Sequence, residues 1–237
     1  MKNSTKEIIN EINTYRDESK AAFLPRFFKT GKGEYGEGDQ FIGVVVPNLR
    51  IVAKKHFDAD FDTLRELLAS PYHEYRLTAL LALTYRYAKL KDHTSRETCV
   101  NFYVSQVDAI NNWDLVDLSC YKILGHWLFD KDKQLLYDWA KENHLWKQRI
   151  AIISCMHFVK QGEFKDALAI ADLLQHHPHD LIHKAVGWIL REIGKEDEQL
   201  LVDYLTPRYK EMPRTMLRYA IERFEEEKRK AFLNSTI

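Results

Sequence analysis

Similar segments recur along this chain at intervals of roughly 35 to 40 residues, and this spacing constrains the fold more than any other feature. Each segment has the pattern of an apolar helix that begins after a polar turn. The segments begin at His73, Asn112, Trp146 and Ile182, and a fifth begins near Pro213. Each interval has room for two helices, and a single pair cannot bury its apolar face alone. The spacing therefore predicts an all-α protein, an α-solenoid of stacked antiparallel helix pairs.

The residues before this pattern have a different organisation. Ser4 and Glu7 have the spacing of a capping box, which predicts a first helix. A second helix is predicted over residues 18–29, with Phe23, Phe27 and Phe28 among its inward-facing residues. We predict a single domain over 1–237, with N-terminal helices and a glycine-rich loop in 1–58 and helix-pair repeats in 59–237.

A glycine-rich stretch from Gly31 to Gln40 interrupts the helices. Glycine-rich loops can wrap phosphates, but this one lacks the Gly-Lys-Ser/Thr ending and no strand precedes it. A flexible connector is therefore favoured over a nucleotide-binding loop.

Composition limits the class of protein. The 35 basic and 35 acidic residues give no net charge, so any binding to nucleic acid depends on local charge rather than bulk charge. No apolar run reaches the ~18 residues of a membrane span, and the N-terminus lacks the pattern of a signal peptide. Cys99, Cys120 and Cys155 are far apart and in apolar contexts, which predicts buried free thiols in the cytoplasm.

One segment combines an aromatic ring and a carboxylate. Trp113 and Asp117 are four residues apart and therefore share a helix face, where they could hold a cationic or sugar-like group. The alternative is that Trp113 is a core residue and Asp117 a cap or an ion-pair partner. An aspartate among apolar residues is costly to bury unless it is paired. Asp114 stands at the predicted helix start and is the better candidate for the cap.

Basic residues occupy similar places in the repeats. In stacked pairs the equivalent helices line one concave surface, and helix N-termini favour anions. A row of cations there would suit a phosphate backbone, although each could instead pair within its own repeat. The residues of this row are Arg76, Arg149, Lys184 and Arg218. Trp188 is predicted to lie on the same surface as Trp113, with the preceding Gly187 allowing a close backbone approach. The alternative is that Trp188 is a packed core residue.

Metal and covalent chemistry are disfavoured. His176, His177, His179 and His183 are close in sequence, but Pro178 interrupts them and no zinc-peptidase glutamate follows the first. We interpret them as a capped turn with exposed histidines. The chain also offers no nucleophile with a recognisable partner. No metal and no cofactor are predicted.

Four segments together resemble a known family. Their order and spacing are similar to the signature segments of the DNA alkylation repair family, the AlkD-like DNA glycosylases. The segments are Gly43 to Lys54 with Val46-Pro47-Asn48-Leu49-Arg50, Asn111-Asn112-Trp113-Asp114-Leu115-Val116-Asp117, Trp146-Lys147-Gln148-Arg149, and His179 to Glu192. The resemblance implies HEAT-like repeats with a concave face that holds duplex DNA, and it adds Arg50 and Lys54 to the expected DNA contacts.

The resemblance also implies a reaction. The family hydrolyses the N-glycosidic bond of positively charged N3- or N7-alkylated purines, without a metal and without flipping the base into a pocket. Asp117 matches the catalytic aspartate, Trp113 and Trp188 match the aromatics beside the lesion, and Arg149 matches the arginine beside the aspartate and the DNA backbone. We therefore expect a monofunctional, monomeric base excision repair enzyme. The alternative is a non-catalytic module that binds damaged or branched DNA, or a protein.

Overall fold

The structure is a computed structural model that describes residues 4–237, and the regular elements of that range are helices. The all-α prediction is confirmed. The helices are α1 (Thr5–Asn13), α2 (Glu18–Phe27), α3 (Val46–Lys55), α4 (Phe61–Leu68), α5 (His73–Lys89), α6 (His93–Ser105), α7 (Trp113–Asp117), α8 (His126–Leu128), α9 (Gln134–Lys141), α10 (Leu145–Ser154), α11 (Met156–Val159), α12 (Lys165–Leu174), α13 (Asp180–Glu196), α14 (Glu198–Leu205), α15 (Arg214–Ala220) and α16 (Glu226–Asn234). A 3₁₀ turn spans Val107–Ala109 and a π-helical turn spans Tyr121–Gly125.

The predicted repeat segments begin where helices begin. The helices concerned are α5, α7, α10, α13 and α15, and each starts within two residues of its predicted position. The long helices α5 and α13 anchor their surroundings, since α3 and α4 pack on α5 while α10 and α15 pack on α13. Hydrophobic periodicity therefore located the helices that build the core.

The chain divides into two compact units. The first runs up to Ile123, and its core lies around α5, most of whose residues are buried. The second runs from Leu124 to Ile237, and its core lies around α10 and α13. The boundary predicted between residues 58 and 59 is a different division, and the single repeat domain over 1–237 stays a prediction.

Local signals explain several helix starts. The side chain of Ser4 accepts a hydrogen bond from the Glu7 amide, and the Glu7 carboxylate accepts one from the Ser4 amide, so the predicted capping box is confirmed. Pro47 occupies the first turn of α3, where its missing N–H costs nothing. Cys99, Cys120 and Cys155 are buried and form no disulfide, as predicted. Between residues 4 and 237, no helix is both long and apolar enough to cross a membrane.

Helix α2 differs from its prediction. None of its ten described residues is buried, and the side chains of Phe23 and Phe27 are 60% and 51% exposed. Only Phe28, which ends the helix, is buried. The prediction that Phe23 and Phe27 face inward was therefore wrong. Helical spacing identifies an apolar stripe, but it does not reveal whether another element covers that stripe.

Candidate active site

The helix that carries Trp113 and Asp117 is a single turn held by asparagine. The Asn112 side chain is fully buried, and its oxygen accepts a hydrogen bond from the Trp113 amide at 2.9 Å, so Asn112 is the cap. The prediction that Asp114 caps the helix was wrong. Asp114 is buried, with Oδ1 accepting a hydrogen bond from the Leu115 amide at 2.8 Å and Oδ2 lying 2.8 Å from His73 Nε2.

Trp113 lies against an aromatic cluster. Its ring stacks on that of Phe28, with centroids 5.4 Å apart and planes inclined by 14°, and it meets the edge of Phe27 at 6.0 Å. One face of the indole is therefore supported by a buried phenylalanine. Trp113 as a whole is only half-buried, so part of this residue remains accessible.

Asp117 ends the same helical turn and is also half-buried. A carboxylate at the C-terminal end of a helix is opposed by the helix dipole, so its position gains nothing from the helix itself. The turn thus presents an aromatic ring at its first residue and a negative group at its last. This pair could stabilise a cation that is also in contact with an apolar ring.

Buried charges lie behind this turn. His73 is 2% exposed and reaches Asp114 with one ring nitrogen and Asp39 with the other, the latter at 3.4 Å. Arg76 Nη2 lies 2.6 Å from Asp39 Oδ1. Two carboxylates therefore face two basic groups, and the charges of this group of four balance.

Arg76 differs from its predicted role. The residue is 4% exposed, and besides Asp39 its Nη1 donates a hydrogen bond to the Ser70 carbonyl at 2.8 Å. A guanidinium enclosed in this way is not available to a phosphate. Arg76 is therefore not among the DNA contacts that we propose below. The position of Arg76 near the start of a repeat helix was predicted correctly. The burial of its guanidinium was not predicted.

Trp188 lies on α13 in the second unit. Its side chain is half-buried, and its Nε1 donates a hydrogen bond to Glu192 Oε1 at 3.2 Å, one helical turn further on. Gly187 precedes it. A Cβ at Gly187 would lie 2.5 Å from Tyr219 Cβ and 2.6 Å from the Met216 carbonyl oxygen, so α13 and α15 approach closely there. The close approach predicted for Gly187 is confirmed.

Arg149 lies on α10 and is 4% exposed. Its Nη1 donates a hydrogen bond to the carbonyl oxygen of Leu181, in the first turn of α13. The guanidinium therefore joins α10 to the start of the helix that carries Trp188. This burial favours a role in positioning α13 over direct contact with a DNA backbone.

The other predicted cations are more accessible. In the first unit, Arg50 is half-buried and Lys54 exposed, both on α3. In the second unit, Lys184 is half-buried and lies 2.7 Å from Asp180, while Arg218 on α15 is exposed. An ion pair that remains accessible to solvent is weak and exchanges readily for a phosphate contact, so Lys184 can also bind an anion.

One comparison with known proteins shows the family of the chain. The family model for DNA alkylation repair enzymes matches residues 8–224. The chain belongs to the DNA alkylation repair enzyme family. The structure is similar to that of a predicted DNA alkylation repair enzyme from Enterococcus faecalis, with a TM-score of 0.68 and 14% identity over 89% of this chain and 97% of that chain. This likeness shows a shared fold. No curated protein sequence matches the chain.

The histidines of this family member form a turn. The N-cap of α13 is His179, whose Nδ1 accepts a hydrogen bond from the Leu181 amide, and His177 Nε2 lies 2.9 Å from Gln148 Oε1. Burial lowers the pKa of both His177 and His179. Over residues 4–237, no group of three or more His, Cys, Asp or Glu side chains is arranged to hold a metal ion. The turn is capped as predicted, but the prediction that its histidines are exposed holds for His176 only, since His177, His179 and His183 are half-buried.

Sequence reasoning missed several residues of the site. Asp39, His73 and Phe28 surround the Trp113 turn, but they precede Trp113 by 40 to 85 residues along the chain. The local sequence contained one hint of this site, namely the carboxylate of Asp39 near the end of the glycine-rich stretch. That stretch is not a free connector at this end, since Asp39 is buried and the Gln40 amide donates to the Pro71 carbonyl at 2.9 Å.

Proposed function

We propose that this protein is a monofunctional DNA glycosylase that releases positively charged N3- or N7-alkylated purines from duplex DNA. Membership of the family supports a role in alkylation repair. The observation that carries the finer proposal is the single turn α7, which places the half-buried Trp113 four residues before the half-buried carboxylate of Asp117.

The reaction suits these two groups. An alkylated purine already carries a positive charge, so it leaves with the bonding electrons of the C1′–N bond and needs no proton from an acid. Positive charge then develops on the deoxyribose, where the Asp117 carboxylate stabilises it and orients the attacking water. Water adds its oxygen to C1′ and loses a proton to the solvent. Trp113 favours the cationic lesion over a neutral base.

The other residues that the family resemblance implies are proposed to have different roles. Trp188 is proposed as the second aromatic beside the lesion, and Arg149 as the residue that fixes the helix carrying it. Arg50, Lys54, Lys184 and Arg218 are proposed to contact phosphates. No lysine of the signature segments points to a Schiff base, so the DNA strand should stay intact after base release.

Base release from methylated duplex DNA tests the proposal. The native protein should release 7-methylguanine and 3-methyladenine and leave alkali-sensitive sites in an unbroken strand. Strand cleavage without alkali would contradict a monofunctional mechanism. Binding of the DNA without release would replace the enzyme by the non-catalytic binding module. Absence of both release and binding would direct the search towards a protein partner.

A further inference from the structure

Asp39 joins the glycine-rich stretch to the residues that precede the Trp113 turn. Asn111 Nδ2 donates to its Oδ1 at 3.1 Å, and Asn112 Nδ2 donates to its Oδ2 at 3.4 Å. Because Asn112 caps α7, a carboxylate 73 residues earlier in the chain holds the start of this turn. The buried Asp39 side chain therefore helps to position the stretch and the turn relative to each other.

His73 makes a second connection between the same two segments. Its Nδ1 faces Asp39 and its Nε2 faces Asp114. Ionised carboxylates only accept hydrogen bonds, whereas a neutral imidazole has a single N–H to donate. Both contacts are satisfied together only when the ring is an imidazolium. A charged His73 therefore links two carboxylates, and a neutral His73 releases one of them.

Aromatic stacking connects His73 with the indole. The Phe28 ring centroid lies 4.8 Å from that of His73 and 5.4 Å from that of Trp113. Phe41 lies 5.0 Å from both Phe28 and His73. A movement of the imidazole is thus passed to the ring that supports Trp113, because close-packed rings leave little free volume.

We propose that His73, Asp39 and Asp114 form a positioning network that fixes α7, and with it the Trp113 ring and the Asp117 carboxylate, only while His73 is protonated. None of the three touches the reacting atoms. The kinetic part of this proposal rests on the proposed function, whereas the conformational part does not.

The charges around His73 determine where it loses its proton. Burial alone would lower the pKa of His73, but the charge of Asp114 and the hydrogen bonds to Asp114 and Asp39 raise it to about 9, against opposition from Arg76. Glu74, the next residue on the same helix, interacts with His73 through its charge; burial raises the pKa of Glu74, and its Oε1 accepts hydrogen bonds from the amides of residues 42–44. A raised pKa means that the network is intact at neutral pH and is lost as the pH rises through about 9.

Fluorine NMR of protein labelled with 5-fluorotryptophan tests the conformational part. The Trp113 resonance, assigned with Trp113→Phe, should shift with an inflection near pH 9 in the native protein. The inflection should disappear in His73→Gln. His56→Gln is the matched control, since His56 is also buried and lies 2.7 Å from a carboxylate, Glu11, outside this network. In His56→Gln the Trp113 resonance should titrate as it does in the native protein.

A second variant covers the case in which His73→Gln does not fold. Asp114→Asn keeps the shape of the side chain but removes the charge that raises the pKa of His73. The inflection of the Trp113 resonance should then move to a lower pH. An inflection that is absent in the native protein, unchanged in Asp114→Asn, or retained in His73→Gln would overturn the proposal.

Base excision gives the kinetic part a separate result. In the native protein the single-turnover rate should fall about tenfold from its plateau by pH 10, because one group in ten stays protonated one unit above its pKa. Native protein that excises nothing at any pH would refute the proposed function alone, and the fluorine titration would still decide the network. A rate that stays level up to pH 10 while the Trp113 resonance titrates would overturn the link between the network and catalysis.

Discussion

Gly187 illustrates how one residue controls the position of a candidate site side chain. The backbone of α15 occupies the space that a side chain at this position would need. Gly187→Ala should therefore force α13 away from α15 and lower the free energy of unfolding by roughly 1–3 kcal/mol. Urea denaturation would measure this change.

Gly194→Ala provides a control on the same helix. Its added Cβ would meet the end of the flexible Leu201 side chain, at 2.5 Å, instead of backbone. Alanine also has the higher helix propensity, by about 1 kcal/mol. This variant should therefore lose less stability than Gly187→Ala. Equal destabilisation by the two substitutions would mean that the close approach at Gly187 is not the cause.

At the scale of single residues, the sequence predicted which residues share a helical turn better than it predicted where each side chain points. The spacing from Trp113 to Asp117 was sufficient to place both on one helical turn. The roles of Asp114 and Arg76 were not predictable, because each is decided by a partner more than 30 residues away: His73 for the first and Asp39 for the second. Local periodicity carries no information about such partners.

Helix α2 stands out because two of its aromatic side chains are exposed instead of packed in the core. Its exposed rings of Phe23 and Phe27 stack on one another at 6.2 Å, and Phe27 meets the edge of Trp113. Arg26 and Lys29 are exposed beside them. These rings extend the aromatic surface around Trp113, and on the proposed function we expect them to contact the DNA next to the lesion.

Replacement of both rings tests this expectation. Phe23→Ser combined with Phe27→Ser should change the free energy of unfolding by no more than about 0.5 kcal/mol, since neither ring is buried. Affinity for alkylated duplex DNA should fall roughly tenfold. Leu173→Ser, another exposed apolar residue on α12, is the control and should bind normally. A double variant with unchanged affinity would show that α2 does not contact DNA.

Elements were the most predictable level of this fold. Five helix starts were placed within two residues because each follows a polar turn and opens an apolar stripe. The exposure of α2 was missed for a physical reason, since an uncovered stripe and a covered one have the same sequence pattern.

The whole molecule has no net charge, so its affinity for DNA must come from particular cations. Each phosphate contact makes the logarithm of affinity fall with the logarithm of salt by a slope of about 0.9. Substitution of a phosphate-contacting cation by glutamine should therefore reduce this slope by about one unit per residue. The cations to be replaced are Arg50, Lys54, Lys184 and Arg218. Fluorescence anisotropy at several salt concentrations would measure it.

Arg76→Gln is the contrasting variant. Removing one partner of a buried ion pair leaves His73 as the remaining basic group beside Asp39 and should cost roughly 3–5 kcal/mol of stability. For the protein that remains folded, the slope of the logarithm of DNA affinity against the logarithm of salt should equal the native slope. A slope reduced by Arg76→Gln and unaffected by the four exposed or half-buried cations would contradict this assignment of phosphate contacts.

The most direct test of the central claim is the single-turnover excision of 7-methylguanine from a duplex that contains one such lesion, with binding measured on the same duplex. Asp117→Asn should lower the rate constant by roughly 100-fold or more, since it removes the charge that stabilises the sugar cation, while DNA affinity stays close to native. Asp108→Asn, at an exposed carboxylate of the same unit, should excise normally. Excision by Asp117→Asn at the native rate would contradict the claim that this carboxylate drives the reaction.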